Sequence, residues 1–310
     1  MAELTNNYLH ILSPRVAQWR LPVTRDQAVL LMVAFNEMML GLDTYLAHDA
    51  NQTLTAREWV PILFGPVAGI LLLVAGLIAL RRRIAAAWLA TLVFSASMVV
   101  GVLGAYFHFM RGILPTAPPG QQITLSLLIW APPFLAPFAF AGIGVMGLSA
   151  AWEESPVGSG LLHLPAGFRL QMPYSKTRAY FLLTGLGILM ALISSVLDHA
   201  RHPWSNPWLM LPVVVGVLGT VVAVVCAFLS EPLPRQELLI YLGTMLLLMA
   251  VGLVGTILHI RADLTSESLI VTERFLRGAP FMSPLLFTNM GMIGLLVLLP
   301  SEPQEKNLRK

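Results

Sequence analysis

Charge is what this sequence has least of. Of 310 residues only 35 are Asp, Glu, Lys or Arg, 11% of the chain, whereas 56% are apolar and the mean hydropathy is +0.75. A soluble domain carries about 25% charge. So few charged groups cannot cover a globule of this size, and a water-soluble fold is excluded. Cysteine is as scarce: Cys226 stands alone inside an apolar run, which rules out a disulfide framework, a CxxC pair or a thiolate cluster and reads as a small buried hydrophobe. The net charge of +3 leaves no basic footprint for nucleic acid. There is no Walker A loop, no GxGxxG after a strand, no HExxH and no GxSxG, so nucleotide, zinc-protease and serine-hydrolase chemistry lack residues to stand on.

What the chain does have is long apolar runs. Stretches bounded by charge or by Pro and Gly fall at 27–47, 60–80, 85–107, 130–150, 179–199, 208–229, 237–259 and 280–299, near the bilayer-spanning length of about 20 residues. They predict an all-α integral membrane protein with eight transmembrane helices. Residues 1–26 lack the apolar core of a signal peptide and carry Arg15, Trp19, Arg20 and Arg25 beside Leu9, Ile11 and Leu12, which reads as a retained cytoplasmic interfacial lead-in. The segments on the N-terminal side hold thirteen of the nineteen Lys and Arg; the opposite loops hold six, Arg57, Arg111, Arg201, Arg261, Arg274 and Arg277. By the positive-inside rule both termini are cytoplasmic, in a multi-pass cell (inner) membrane protein. Arg81, Arg82 and Arg83 belong to that topology signal, and Trp130, Trp204, Trp208, Tyr106 and Phe107 read as belt anchors at the outer interface.

The chain also matches itself. A shift of 151 residues lays His48 on His199, Pro61 on Pro212, Gly65 on Gly216, Gly101 on Gly252, Gly104 on Gly255 and His108 on His259 without a gap. A shift of 147 then pairs Pro133-Phe134, Pro137, Phe140, Gly144 and Gly147 with Pro280-Phe281, Pro284, Phe287, Gly291 and Gly294. Only ten of the 67 positions from 42 to 108 are identical, but Gly, Pro and His carry the pattern. It predicts two parallel four-helix repeats, 27–151 and 179–300, joined by a cytoplasmic linker 152–178 and followed by a tail 301–310, around a pseudo-two-fold axis along the membrane normal. Gly101, Gly104 and His108 share one helix face, so the histidine points toward protein and small residues admit a close neighbour.

His48, His108, His199 and His259 each lie 21–25 residues beyond the last cytoplasmic charge, roughly 32–38 Å along the helix, so all four occupy one outer level. His202 belongs to the same region, and Asp49, Asp198 and Asp263 are interleaved. Four imidazoles at one depth suit a transition metal (copper, iron or zinc) or the axial positions of haem, with carboxylates fixing the tautomer. They would meet either in one axial site or as one pair in each half. Met38-Met39, Met290 and Met292 are soft ligands by type but read as core packing.

The last signal is acid inside the bilayer. Glu37 lies twelve residues past Arg25, about 18 Å along the helix, where an uncompensated carboxylate costs several kcal/mol. Glu37, Gly41, Thr44 and His48 form a stripe from mid-membrane to the histidine level, with Asp43 on another face. Ile188 and Ser194 replace Glu37 and Asp43 in the second half, so the acids act in the first half only. These features carry three readings. The first is a membrane subunit whose histidine cluster holds a metal or haem in quinol-linked electron transfer, partnered by quinone and outer-side redox subunits, with the stripe as its proton path. The second is a transporter with a Glu37 site at the repeat interface. The third is a structural or assembly subunit without a cofactor.

Overall fold

The computed structural model describes residues 8–13, 23–201, 204, 206–264 and 270–301. Most of the lead-in and tail, and His202, lie outside these residues. A short helix, α1 (Tyr8–Leu12), precedes α2 (Arg25–Ala50), α3 (Trp59–Ala79), α4 (Arg83–Arg111), α5 (Leu125–Trp130) and α6 (Phe138–Ala151). A small antiparallel sheet follows, β1 (Glu153–Glu154), β2 (Leu161–His163) and β3 (Arg169–Gln171), in the order β1-β2-β3. The chain then forms α7 (Lys176–His199), α8 (Met210–Phe228), α9 (Arg235–Asp263), α10 (Thr272–Arg277) and α11 (Leu285–Leu296).

Six of these helices, α2, α3, α4, α7, α8 and α9, are long and apolar enough to cross a bilayer. Their outward residues are apolar: Leu77 is 69% exposed, Leu92 69% and Phe228 76%, a surface that only lipid covers without cost. The protein is therefore an all-α, multi-pass membrane protein in a lipid environment. The stretches 130–150 and 280–299, expected as continuous helices, are helical only as α6 and α11. Pro133, Pro137, Pro280 and Pro284 have no backbone N–H to give, so the chain first makes prolyl turns in which Ala136 and Ser283 donate to the carbonyls of Pro133 and Pro280, each at 3.1 Å.

The helix starts are set by caps. Thr24 Oγ1 accepts from Gln27 N while Gln27 Oε1 accepts from Thr24 N at 2.9 Å, a capping box opening α2. Ser175 does the corresponding service for α7, accepting from Arg178 N at 3.2 Å. Arg25 and Lys176, which open α2 and α7, stand 151 residues apart, and the starts of α5 and α10, like those of α6 and α11, stand 147 apart.

Glycine brings helices together. A Cβ at Gly101 of α4 would fall 2.5 Å from Ala141 N and 2.9 Å from Pro137 O, and one at Gly252 of α9 would fall 2.6 Å from Thr288 N and 2.7 Å from Pro284 O. Gly104 and Gly255 seat the prolines themselves, each with its Cβ position 2.8 Å from the ring carbon of Pro137 or Pro284. Thus α4 clamps α6, and α9 clamps α11, in the same way. Between the halves α2 touches α11 while α7 touches α6, and α10 lies on α2 as α5 lies on α7. The short helix α1 packs on α9, with Tyr8 wholly buried and its ring 6.0 Å from Phe181. Burial pushes the Tyr8 phenol up from its ordinary range.

Candidate functional site

The four histidines expected at one level come together as two pairs, one in each half. The His48 and His108 rings, from α2 and α4, have centroids 5.8 Å apart; those of His199 and His259, from α7 and α9, are 6.4 Å apart, and both pairs cross at 73°. His108 Nδ1 lies 3.1 Å from the Pro133 carbonyl and His259 Nδ1 3.1 Å from that of Pro280. A carbonyl only accepts, so Nδ1 carries the proton in each and Nε2 is the lone-pair nitrogen of the neutral ring. His48 Nδ1 is 2.9 Å from Thr53 Oγ1, and His199 Nδ1 is 3.4 Å from Ser195 Oγ.

The orienting groups at His108 and His259 are therefore proline carbonyls and not the carboxylates the sequence suggests. Asp263, expected within reach of His259, turns away: its Oδ1 accepts from Ala279 N at 2.8 Å and closes the loop after α10. Asp198 lies 3.7 Å from Arg201. Among the described residues no three His, Cys, Asp or Glu side chains are grouped to hold a metal. A small cavity of about 10 Å³, the space of a single water, is lined by His108, Phe109, Leu128 and Phe134, and His48 is not on its wall. Just outside the spans, Glu58 stands 3.5 Å from Arg111. Partial burial pushes the Glu58 carboxyl up, but hydrogen bonds from Thr55 and the Arg111 cation outweigh it and hold the group below its usual range.

Midway along α2, Glu37 is 0% exposed. Its Oε1 lies 2.5 Å from Ser97 Oγ, which in turn lies 2.8 Å from the Phe140 carbonyl, and Oε2 has no hydrogen-bond partner among the described residues. Ser97 belongs to α4 and Phe140 to α6, so the carboxyl is held inside the N-terminal half rather than between the halves. No family profile, curated protein or solved structure matches the chain.

The stripe from Glu37 to His48 does not form one polar track. Gly41 is a packing notch: a Cβ at Gly65 would stand 2.7 Å from Gly41 N and 2.8 Å from its Cα, so α2 and α3 meet backbone to backbone. Thr44 Oγ1 donates to its own helix at Leu40 O, 2.7 Å. Asp43 is half-buried on a different face of α2. Met38 and Met290 fill the spaces beside Gly69 and Gly187, as core packing requires.

A second polar centre, at the end where α2 and α7 start, escapes sequence reading. Lys176 Nζ reaches Asp26 Oδ2 and the Trp152 carbonyl, both at 2.5 Å, and Tyr180 donates to Asp26 Oδ1 at 2.9 Å. Arg25 donates to Thr177 Oγ1 at 2.7 Å, lies 4.9 Å over the Tyr180 ring and is only 1% exposed. Glu154 Oε1 accepts from Lys176 N and Gly160 N. Arg25 and Lys176, each the first residue of its helix, thus each reach the second residue of the other helix, Thr177 and Asp26. The 151-residue shift that aligns the histidines also superposes Thr24-Arg25 on Ser175-Lys176; that match, extended toward the N-terminus, is the signal that points here. Beside this centre the sheet-bearing linker, the start of α7 and the segment after α8 line an open cleft of about 440 Å³, walled in part by Arg178 and Glu231, whose charged groups stand 3.6 Å apart.

Proposed function

We propose that the protein is a proton-coupled membrane transporter in which Glu37 binds and releases the proton. The observation that carries this reading is the bond count at Ser97. Its single hydroxyl proton faces two acceptors, Glu37 Oε1 and the Phe140 carbonyl. Both contacts are hydrogen bonds only when Glu37 is protonated and donates to Ser97 Oγ, while Ser97 donates to Phe140. A carboxyl with no cation beside it in the bilayer is neutral at rest for the same electrostatic reason. Oε2, buried and without a hydrogen-bond partner among the described residues, is the atom left to bond a water or substrate group that reaches it.

The architecture proposed with it is eight spans in two parallel four-helix repeats, with α6 and α11 as the short fourth helix of each and both termini at the inner face of a cell membrane. The matched helix offsets, the two glycine clamps and the reciprocal contacts between halves support it. The 151-residue shift puts Ile188 in the second half at the position of Glu37, which makes the proton step one-sided.

The test is made on full-length protein in two measurements. Infrared spectra at neutral pH show the carbonyl stretch of a protonated carboxylic acid that disappears in Glu37→Gln. Proteoliposomes under an imposed membrane potential show proton flux that Glu37→Gln abolishes. A band that persists in the variant, or flux equal to that of the parent, overturns the reading.

A further inference from the structure

The carboxyl of Glu37 is tied to more than its own helix. Glu37 on α2, Ser97 on α4 and Phe140 on α6 are all buried, and the Ser97 oxygen lies 2.5 Å from Glu37 Oε1 and 2.8 Å from the Phe140 carbonyl. A hydroxyl has one proton to give. While Glu37 is protonated it donates to Ser97 Oγ, and Ser97 donates to Phe140. Once that proton has left for water, the carboxylate can only accept, and a hydrogen bond to an ionised oxygen is roughly twice as strong as a neutral one. The Ser97 proton then turns to Glu37 Oε1, and the Phe140 carbonyl faces an oxygen with nothing to donate. One hydroxyl thus has two settings, and only the first bonds α4 to α6 at this point.

The contact lies within the seam between these two helices. To one side of it Gly101 admits Ala141 and Pro137, and to the other a Cβ at Gly144 would stand 2.7 Å from Phe94 O. The second half builds the same seam without an acid. The 151-residue shift puts Ile188 and Leu248 at the positions of Glu37 and Ser97, and the 147-residue shift puts Phe287 at that of Phe140. Ile188 and Leu248 are wholly buried, so carboxyl and hydroxyl are exchanged for apolar groups as a unit. There α9 and α11 are joined by Thr288, which donates to Met249 O at 3.1 Å, and by Tyr241, which donates to Gly294 O at 3.0 Å, bonds between a hydroxyl and a carbonyl alone. Of the helices packed on α2, α3, α6 and α11 carry no titratable group, and α10 carries Glu273, Arg274 and Arg277. Helix α4, which reaches α2 through Ser97, has Arg83 at one end and Tyr106, His108 and Arg111 near the other, while Asp43 lies on another face of α2. The titrating group bonded to Ser97 is Glu37. Because α6 also touches α7 of the other half, a change in how α4 holds α6 reaches across the repeats. Resting on the reading of Glu37 as the proton-binding acid, we propose that Ser97 is its positioning residue and couples loss of the Glu37 proton to release of the α6 backbone from α4.

Full-length protein is grown with phenylalanine isotopically labelled at its carbonyl carbon, and infrared spectra are taken on both sides of the pH at which the Glu37 acid band disappears. The expected result is a labelled amide component that moves to higher wavenumber as the band is lost, because a carbonyl freed of a hydrogen bond stiffens. Phe140→Leu, which removes the label but not the carbonyl, deletes that component. Ser97→Ala keeps a titrating acid band while the component stands at the higher position throughout, and Ser97→Thr, which retains the hydroxyl, restores the shift. Glu37→Gln holds the component at the lower position at every pH, since its amide N–H donates to Ser97. An acid band that titrates in the parent without moving the Phe140 component, or a component that still moves in Ser97→Ala, overturns the proposal and leaves the proton reading standing. A parent without the acid band overturns both. The parent and Phe140→Leu spectra test the shift by themselves, so the outcome does not hang on Ser97→Ala folding.

Discussion

Replacing Lys176 by Met should destabilise the protein far more than removal of an exposed positive charge from the same end of the bundle. The Lys176 side chain is 1% exposed and its ammonium is 2.5 Å from Asp26, which is 24% exposed. Lys176→Met keeps the aliphatic stem but leaves Asp26 with only Tyr180 and a long contact, 3.4 Å, to Arg25 Nε. Breaking a buried pair by deleting one partner costs about 3–5 kcal/mol, because the remaining charge is stranded. Since Asp26 keeps some access to water, the expected loss lies near the lower end, about 3 kcal/mol. Arg169→Met, on the exposed strand β3 of the same face, is the control and should stay within about 0.5 kcal/mol of the parent. Adding Asp26→Asn to Lys176→Met removes the stranded charge, so the double variant should be more stable than the sum of the singles by at least about 1 kcal/mol. The assay is reversible unfolding in mixed micelles with increasing SDS, followed by far-UV circular dichroism. A Lys176→Met protein indistinguishable from the Arg169→Met control, or strictly additive singles, refutes the view that the two halves are fastened by this ion pair.

Two further outcomes are expected. Gly101→Val or Gly252→Val should cost about 1–3 kcal/mol or more, because the added carbons meet backbone atoms of Ala141, Pro137, Thr288 and Pro284 that cannot rotate away. Gly142→Ala, whose Cβ position has nothing within 4 Å, should instead be neutral or up to about 1 kcal/mol stabilising from helix propensity, and thermal melts in detergent separate the two classes. In a Cys226→Ser background, Gln121→Cys should react with a membrane-impermeant maleimide on intact cells while Ser159→Cys reacts only after permeabilisation; the opposite pattern reverses the proposed orientation.

The sequence made the apolar helices legible through local periodicity, and singled out the four histidines as residue types that are rare in this chain, but it left open whether they meet in one site or as a pair in each half, which the structure decides in favour of pairs. The first apolar run, placed at 27–47, lies close to the observed α2 (Arg25–Ala50). What stayed hidden was anything carried by contacts between distant segments. Asp26 and Lys176 are 150 residues apart and look, one by one, like ordinary interface charges. Gly41 looked like part of a polar stripe because spacing reports the face of a helix but not what covers it, and Pro66 of α3 lies against it. Asp263 was assigned to His259 by its four-residue spacing, yet a backbone N–H from Ala279, beyond the following loop, competes for the same oxygen and wins. The shortened α6 and α11 were foreshadowed by their prolines, but apolar length alone does not separate a turn from a helix.

The prolyl turns bear on motion as well. Pro137 sits against Gly104, and the neighbouring Pro133 carbonyl holds the His108 ring, so helix α4, the turn and the imidazole are one triangulated unit; Pro284, Gly255, Pro280 and His259 build its counterpart. A ring tied at both ends of such a triangle cannot wander by itself. If the halves rock against each other during a working cycle, the two histidine pairs ride as fixed markers on separate bodies. The distance between a spin placed at one pair and a spin placed at the other would then read out the rocking directly.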